Sequence, residues 1–159
     1  MRRNRSLFGA IAFACFLILT MSLATAQSDK VKSALADFRA MMDALGAPKL
    51  QGNELYFGND KADQSIVDAV VAKDGGAASL FVKNGDNFVS VASTVKQKDG
   101  TLAIGTPLNA KGPAYPKLSS GKPYYGEITP FDKSYDAGYE PLKDASGTVI
   151  GAYFVGYPK

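Results

Sequence analysis

Apolar residues first recur at helical spacing in Val31, Leu35, Phe38, Met42 and Leu45, which predicts an amphipathic helix over Asp29 to Leu45. Ser28 is available as its N-cap, and Gly46 with Pro48 supplies the stop. A polar, glycine-dotted connection follows, interrupted by the apolar patch Leu55-Tyr56-Phe57. Ile66, Val67, Val70 and Val71 then fall on one face of a second helix, expected from Ala62 to Lys73 and ended by Gly75-Gly76.

From Ala77 onward the pattern changes to short apolar runs punctuated by turn residues. Ala78 to Val82 leads into Asn84-Gly85, a strong hairpin signal, and Phe88 to Val95 is the returning strand. Thr101 to Ile104 reads as a third strand after the turn Lys96 to Gly100. Asn109 to Gly121 holds Pro113, Pro116 and several small residues, so it is expected to be a long surface loop with at most one helical turn around Tyr115 to Leu118. Pro123 to Thr129, Ser134 to Leu142 and Thr148 to Tyr157 complete the strands, the last two joined by the turn Asp144 to Gly147. Two helices followed by five or six antiparallel strands make an α+β domain whose sheet buries a face against the helices. Loops of about a dozen residues are uncommon in small domains and often bind ligands, which singles out Asn109 to Gly121.

Composition narrows the chemistry. The 159 residues include 18 Lys+Arg and 15 Asp+Glu, but Arg2, Arg3 and Arg5 open an N-terminal segment with the layout of an export signal. An uncharged apolar run extends from Leu7 to Leu23, and Ala24-Thr25-Ala26 places small residues before an expected cleavage at Gln27. The alternative is an uncleaved anchor, although the run is slightly short for a bilayer. Without the three arginines, 15 basic residues balance 15 acidic ones, and a neutral chain gives no electrostatic footprint for nucleic acid. Cys15 lies inside the apolar run rather than at its end, which argues against a lipoprotein, and as the single cysteine it leaves the mature chain without disulfides. With no His and no Trp either, the chain has no Ser-His-Asp or Cys-His system and no zinc site built on His or Cys.

The stretch "GGAASLFVKNGDNFVSVASTVKQKDGTLAIGTPLN", followed by "SGKPYYGEI" and "YEPLKDASGTVIGAYFVGYP", resembles the single Cache domain of the Cache 3/Cache 2 fusion type, over roughly Glu54 to Pro158. The resemblance implies a PAS-like fold, with a long N-terminal helix packed on a central antiparallel sheet of five to six strands. It also implies extracytoplasmic sensing of small molecules. On this reading the chain divides into a signal peptide (1–26), the N-terminal helix and connection (27–53) and the Cache domain (54–159). It ends at Lys159, two residues past Tyr157, and is therefore expected to lack an output module of its own. The family often carries arginine where Ser90 and Leu102 stand here, so a guanidinium clamp for carboxylates is missing and the ligand is expected to be neutral or zwitterionic and partly apolar.

The candidate ligand residues are Ser90, Thr94, Lys122, Tyr124, Tyr125, Tyr135 and Tyr139. On strands Tyr124 and Tyr125 must point to opposite faces, whereas Tyr135 and Tyr139 share one. Ser90, Ala92 and Thr94 are expected on one face with Phe88, and Val89, Val91 and Val95 on the other. The expected role is that of a periplasmic or secreted binding protein for a small organic molecule, working with a membrane receptor or sensor kinase, with no cofactor and no membrane span once the signal is removed. The alternatives are an envelope assembly protein without a ligand and an enzyme using the carboxylates of Glu127, Asp132 and Glu140. Export is expected to yield a protein whose intact mass corresponds to a chain starting at Gln27; a periplasmic species still containing Leu7 to Leu23 contradicts this.

Overall fold

A computed structural model describes residues 28–159; the expected signal segment 1–26, with the expected cleavage at Gln27 and with Cys15, lies outside the described residues. The first helix, α1 (28–45), buries Val31, Ala34, Leu35, Phe38 and Met42 at the predicted spacing. It is already formed at Ser28, which therefore is not its cap, and Leu45 is 41% exposed rather than part of the buried stripe. The reason is position: Leu45 is the last helical residue, next to Gly46 at φ 121°, and the chain turns away there.

Next come three short strands, β1 (Pro48–Gln51), β2 (Glu54–Phe57) and β3 (Asp60–Lys61), which form a small antiparallel sheet where the sequence reads as a connection. It anchors Leu55 and Phe57 under the helices. The second helix, α2 (Gln64–Asp74), starts one residue after Asp63, whose carboxylate accepts the Ser65 backbone N–H at 2.9 Å.

The main sheet is built from β4 (Ala77–Asn84), β5 (Asn87–Ser93), β6 (Tyr124–Ile128), β7 (Tyr135–Lys143) and β8 (Val149–Pro158). All pairings are antiparallel, and the spatial order is β5-β4-β8-β7-β6. The last strand thus lies in the centre, and β8 is buried along nearly its whole length. The expected strand Thr101 to Ile104 makes only one isolated bridge, Lys96 with Leu102. The pairing falls slightly later: Gly105 N–H donates to Ser90 O, Ser90 N–H to Thr106 O and Leu108 N–H to Phe88 O, at 2.7–3.0 Å. These bonds cover the free edge of β5.

Each face of the sheet has its own core. On one face Ala78, Leu80, Val82, Tyr153 and Val155 pack against α1 and α2, with the Phe38 and Tyr153 rings 4.9 Å apart. On the other, Phe81, Phe88, Tyr135, Tyr139 and Phe154 meet Ala114 and Leu118 of the short helix α3 (Ala114–Ser119). Two glycines let the layers approach. A Cβ on Gly138 would lie 2.5 Å from Leu35 Cδ1, and one on Gly151 would lie 2.2 Å from the Phe81 carbonyl oxygen. Gly151→Ala is therefore expected to cost about 3 kcal/mol or more, because backbone of β4 must move, and Gly138→Ala about 1–2 kcal/mol, because side-chain ends yield. Urea midpoints rank the two, and a larger loss at Gly138 contradicts the argument.

Near the end of α2 a buried polar atom is left over: among the described residues Asp74 Oδ2 has no hydrogen-bond partner. Burial, and then the neighbouring Asp37 carboxylate, raise the Asp74 pKa, against the opposing fields of Lys73 and Lys30. Asp37 itself is held down by Lys73, 2.9 Å away. A carboxyl whose folded-state pKa is raised favours folding below its unfolded pKa and loses that contribution as pH rises through the folded value. Asp74→Asn is thus expected to stabilise the protein at pH 7, with the gain fading towards pH 4, as read from urea midpoints at the two pH values. A gain that grows on acidification contradicts it.

Candidate functional site

The face of the sheet away from α1 and α2 holds a cavity of about 300 Å³. Its floor is formed by alternate residues of β4, β5, β7 and β8: Ser79, Phe81, Ser90, Ser93, Tyr139 and Phe154. A register slip sets which residues of β5 point inward. Leu80 pairs with Ala92 but Phe81 with Ser90, so Val91 is an extra residue and the alternation reverses after it. Phe88 and Ser90 before the bulge, and Ser93 and Val95 after it, therefore share the cavity face, while Ala92 joins the helix-side core.

The floor carries hydroxyls at one end and aromatic rings at the other. Ser79 Oγ and Ser93 Oγ lie 2.7 Å apart, Ser93 Oγ accepts the Val95 N–H at 3.1 Å, and Ser90 Oγ donates to Ala92 O at 3.2 Å. The Tyr139 ring sits 4.8 Å from Phe154, 6.2 Å from Phe81 and 6.4 Å from Tyr124, centroid to centroid. Burial, and secondarily Tyr124, hold the Tyr139 phenol above its ordinary pKa, so it stays protonated. Among the described residues its hydroxyl has no hydrogen-bond partner and is free to donate or accept.

The roof comes from loops. Thr106 to Asn109, Gly112 to Ala114 and Ile128 to Phe131 close over the floor. Thr106 Oγ1 donates to Ala103 O at 2.8 Å, and Asn109 Oδ1 accepts the Lys111 N–H at 3.0 Å, which leaves the Asn109 amide nitrogen available. Phe131 and Asp132, in a 3-10 turn (Pro130–Asp132), have φ of 51° and 66°. Left-handed backbone costs about 1–2 kcal/mol per non-glycine residue, and such strain persists where the surroundings over-determine it. Here the Asp132 carboxylate pairs with Lys98, and Lys133 N–H closes the turn on Pro130 O at 3.0 Å.

Of the seven candidate residues, Ser90 and Tyr139 line the cavity and five do not. Thr94 follows the bulge and turns away; its hydroxyl instead accepts the Ala78 N–H at 2.9 Å. Tyr124 backs the Tyr139 ring and donates to Glu127 O at 3.0 Å, and Tyr135 packs deeper in the same apolar cluster. Tyr125 is on the opposite face, where it donates to Glu140 Oε1 at 2.6 Å; burial, then Glu140, push its phenol up to about 12. Lys122 is exposed beyond α3. The carboxylates Glu127, Asp132 and Glu140 fall in three separate neighbourhoods and none lines the cavity: Glu127 pairs with Lys159, Asp132 with Lys98 and Glu140 with Arg39 at 3.3 Å. The expected binding loop 109–121 does supply Asn109 and 112–114, whereas the other lining residues that sequence reasoning missed, Ser79, Ser93, Thr106, Thr129 and Phe131, come from segments far apart in the chain. Ser93 alone had a local signal, in its own strand, which the bulge concealed.

No helix among the described residues is long and apolar enough to cross a membrane. The fold is similar to the sensor domain of E. coli DcuS, at a TM-score of 0.59 and 17% identity, covering 84% of this chain and 91% of that one. It is also similar to a structure titled methyl-accepting chemotaxis protein X, at a TM-score of 0.54 and 17% identity, covering 94% of this chain and 63% of that one. A search of curated proteins returns no match. The sequence itself matches the Cache 3/Cache 2 fusion domain over residues 19–159, which takes in α1, the central sheet and the loops that roof the cavity. With the central strand order and the long packed helix both in place, the chain belongs to the Cache 3/Cache 2 fusion domain family of extracytoplasmic, PAS-like sensor domains.

Proposed function

We propose that this protein binds a small organic molecule in the cavity between β4, β5, β7, β8 and the loop 109–121, and that this occupancy is what it senses outside the cytoplasm. The observation that carries the reading is the Tyr139 hydroxyl, an unpartnered polar group among the described residues, set in an otherwise apolar cluster that shares the cavity floor with the serine hydroxyls. Pockets of this type combine apolar walls with a few placed polar groups that orient the ligand. Members of the family typically act as sensors rather than enzymes, and the scattered carboxylates favour the same view. A periplasmic or secreted location and a membrane receptor or sensor kinase as partner complete the proposal.

A thermal-shift screen of small metabolites tests it, since a ligand at 100 times its dissociation constant adds about 2.7 kcal/mol. For a compound that binds, Tyr139→Phe is expected to weaken affinity by about 0.5–1.5 kcal/mol while leaving the melting temperature of the free protein nearly unchanged. Tyr139→Ala is expected to cost about 3–5 kcal/mol of stability as well, through the packing lost against Phe81 and Phe154. Binding indifferent to Tyr139→Phe places the ligand elsewhere, and a screen with no stabilising compound favours an assembly role without a ligand.

A further inference from the structure

We propose that the ligand of this cavity is an uncharged molecule with a flat apolar part and a hydrogen-bonding polar end. This rests on the ligand-binding reading above and specifies the chemistry it takes. Among the described residues no Lys, Arg, Asp or Glu lines the cavity. Asp132, next to the lining residue Phe131, pairs with Lys98 at the surface.

Several backbone donors around the cavity are committed within the fold. The N–H groups of Ser90, Val95, Ala103, Leu108 and Gly112 are each already bonded, to Thr106 O, Ser93 Oγ, Val95 O, Phe88 O and Asn109 O, and so do not stand in for a missing cation. An ionised group brought into the cavity would be desolvated without a counter-charge, a cost that hydroxyl groups only partly offset. The same reasoning excludes ammonium groups, for want of a carboxylate, and zwitterions, which need both partners. The polar atoms that do face inward are hydroxyls and one amide, which donate and accept and so match hydroxyl, carbonyl and amide groups. Phe81, Tyr139 and Phe154 supply a wall for a ring. The volume bounds the size: at about 30 Å³ per water molecule the cavity has room for roughly ten, hence for a ligand of about ten non-hydrogen atoms.

Three probes of matched shape test the charge rule: benzamide, benzoate and benzylamine at pH 7, titrated into the ¹⁵N-labelled protein and followed by NMR. Benzamide is expected to shift the amides of Ser90, Thr106 and Tyr139 and to bind at least about tenfold tighter than either charged probe, a difference of about 1.4 kcal/mol. Thr129→Arg, at an exposed position of the lining, is expected to raise benzoate affinity several-fold relative to benzamide; Asn109→Arg, also exposed, serves as the second variant. Benzoate or benzylamine binding at these same amides as tightly as benzamide overturns the charge rule and leaves the cavity as the binding site. The absence of any shift at these amides with all three probes at about 10 mM overturns both, since fragments of this size engage a preformed apolar pocket in that range.

Discussion

A sheet with both faces buried must assign every residue of its central strands to one core or the other, and the two cores here are filled by different means. On one face, α1 and α2 lay long side chains such as Phe38, Met42 and Ile66 across β4 and β8. On the other face the covering elements are loops and a helix of six residues, α3. Loops carry backbone polar groups that must be satisfied, so they arch over the sheet rather than press into it. The cavity is the consequence, and it lies where α3 and the segment 128–131 approach from opposite sides.

The distribution of charge follows from the same division. The helix-side surface is crossed by ion pairs, Lys73 with Asp37 and Arg39 with Glu140, and Lys30 sits 4.0 Å over the Tyr157 ring. These pairs are largely exposed and individually contribute little to stability. On the cavity side the charges of Lys98 with Asp132 and of Lys159 with Glu127 pair outside the lining. Inside, the serine hydroxyls satisfy one another or the local backbone, whereas the Tyr139 hydroxyl has no partner among the described residues.

Much of the framework was legible in the sequence because periodicity reports burial directly. Val31, Leu35, Phe38 and Met42 fixed the buried face of α1, Asn84-Gly85 fixed the β4–β5 hairpin, and adjacency alone put Tyr124 and Tyr125 on opposite faces. The small sheet β1–β3 escaped notice because its strands have two to four residues, too short to show alternation between glycines. The site was less legible for a specific reason. An extra valine in a run of β-branched and small residues leaves no mark in "FVSVAST", so alternation extrapolated from Phe88 leads to Thr94, whereas the chain itself turns Ser93 inward. The roof was legible in part, through the length of the loop 109–121, but Thr129 and Phe131 join it only through the tertiary path of the chain.

Strand β7 joins the two halves of this arrangement. Tyr139 points into the cavity wall, and its neighbour Glu140 points to the helix face, where it meets Arg39 of α1 at 3.3 Å and the Tyr125 hydroxyl at 2.6 Å. One residue earlier, Gly138 lies under Leu35 and Val31 of the same helix with no space for a Cβ. Cores packed to crystal-like density do not absorb displacements locally. A shift of β7 at Tyr139 therefore carries Gly138 and Glu140 with it, and both bear directly on α1. The cavity and the N-terminal helix thus share one strand as a common wall, so the two faces of the sheet are separate in chemistry but not in mechanics.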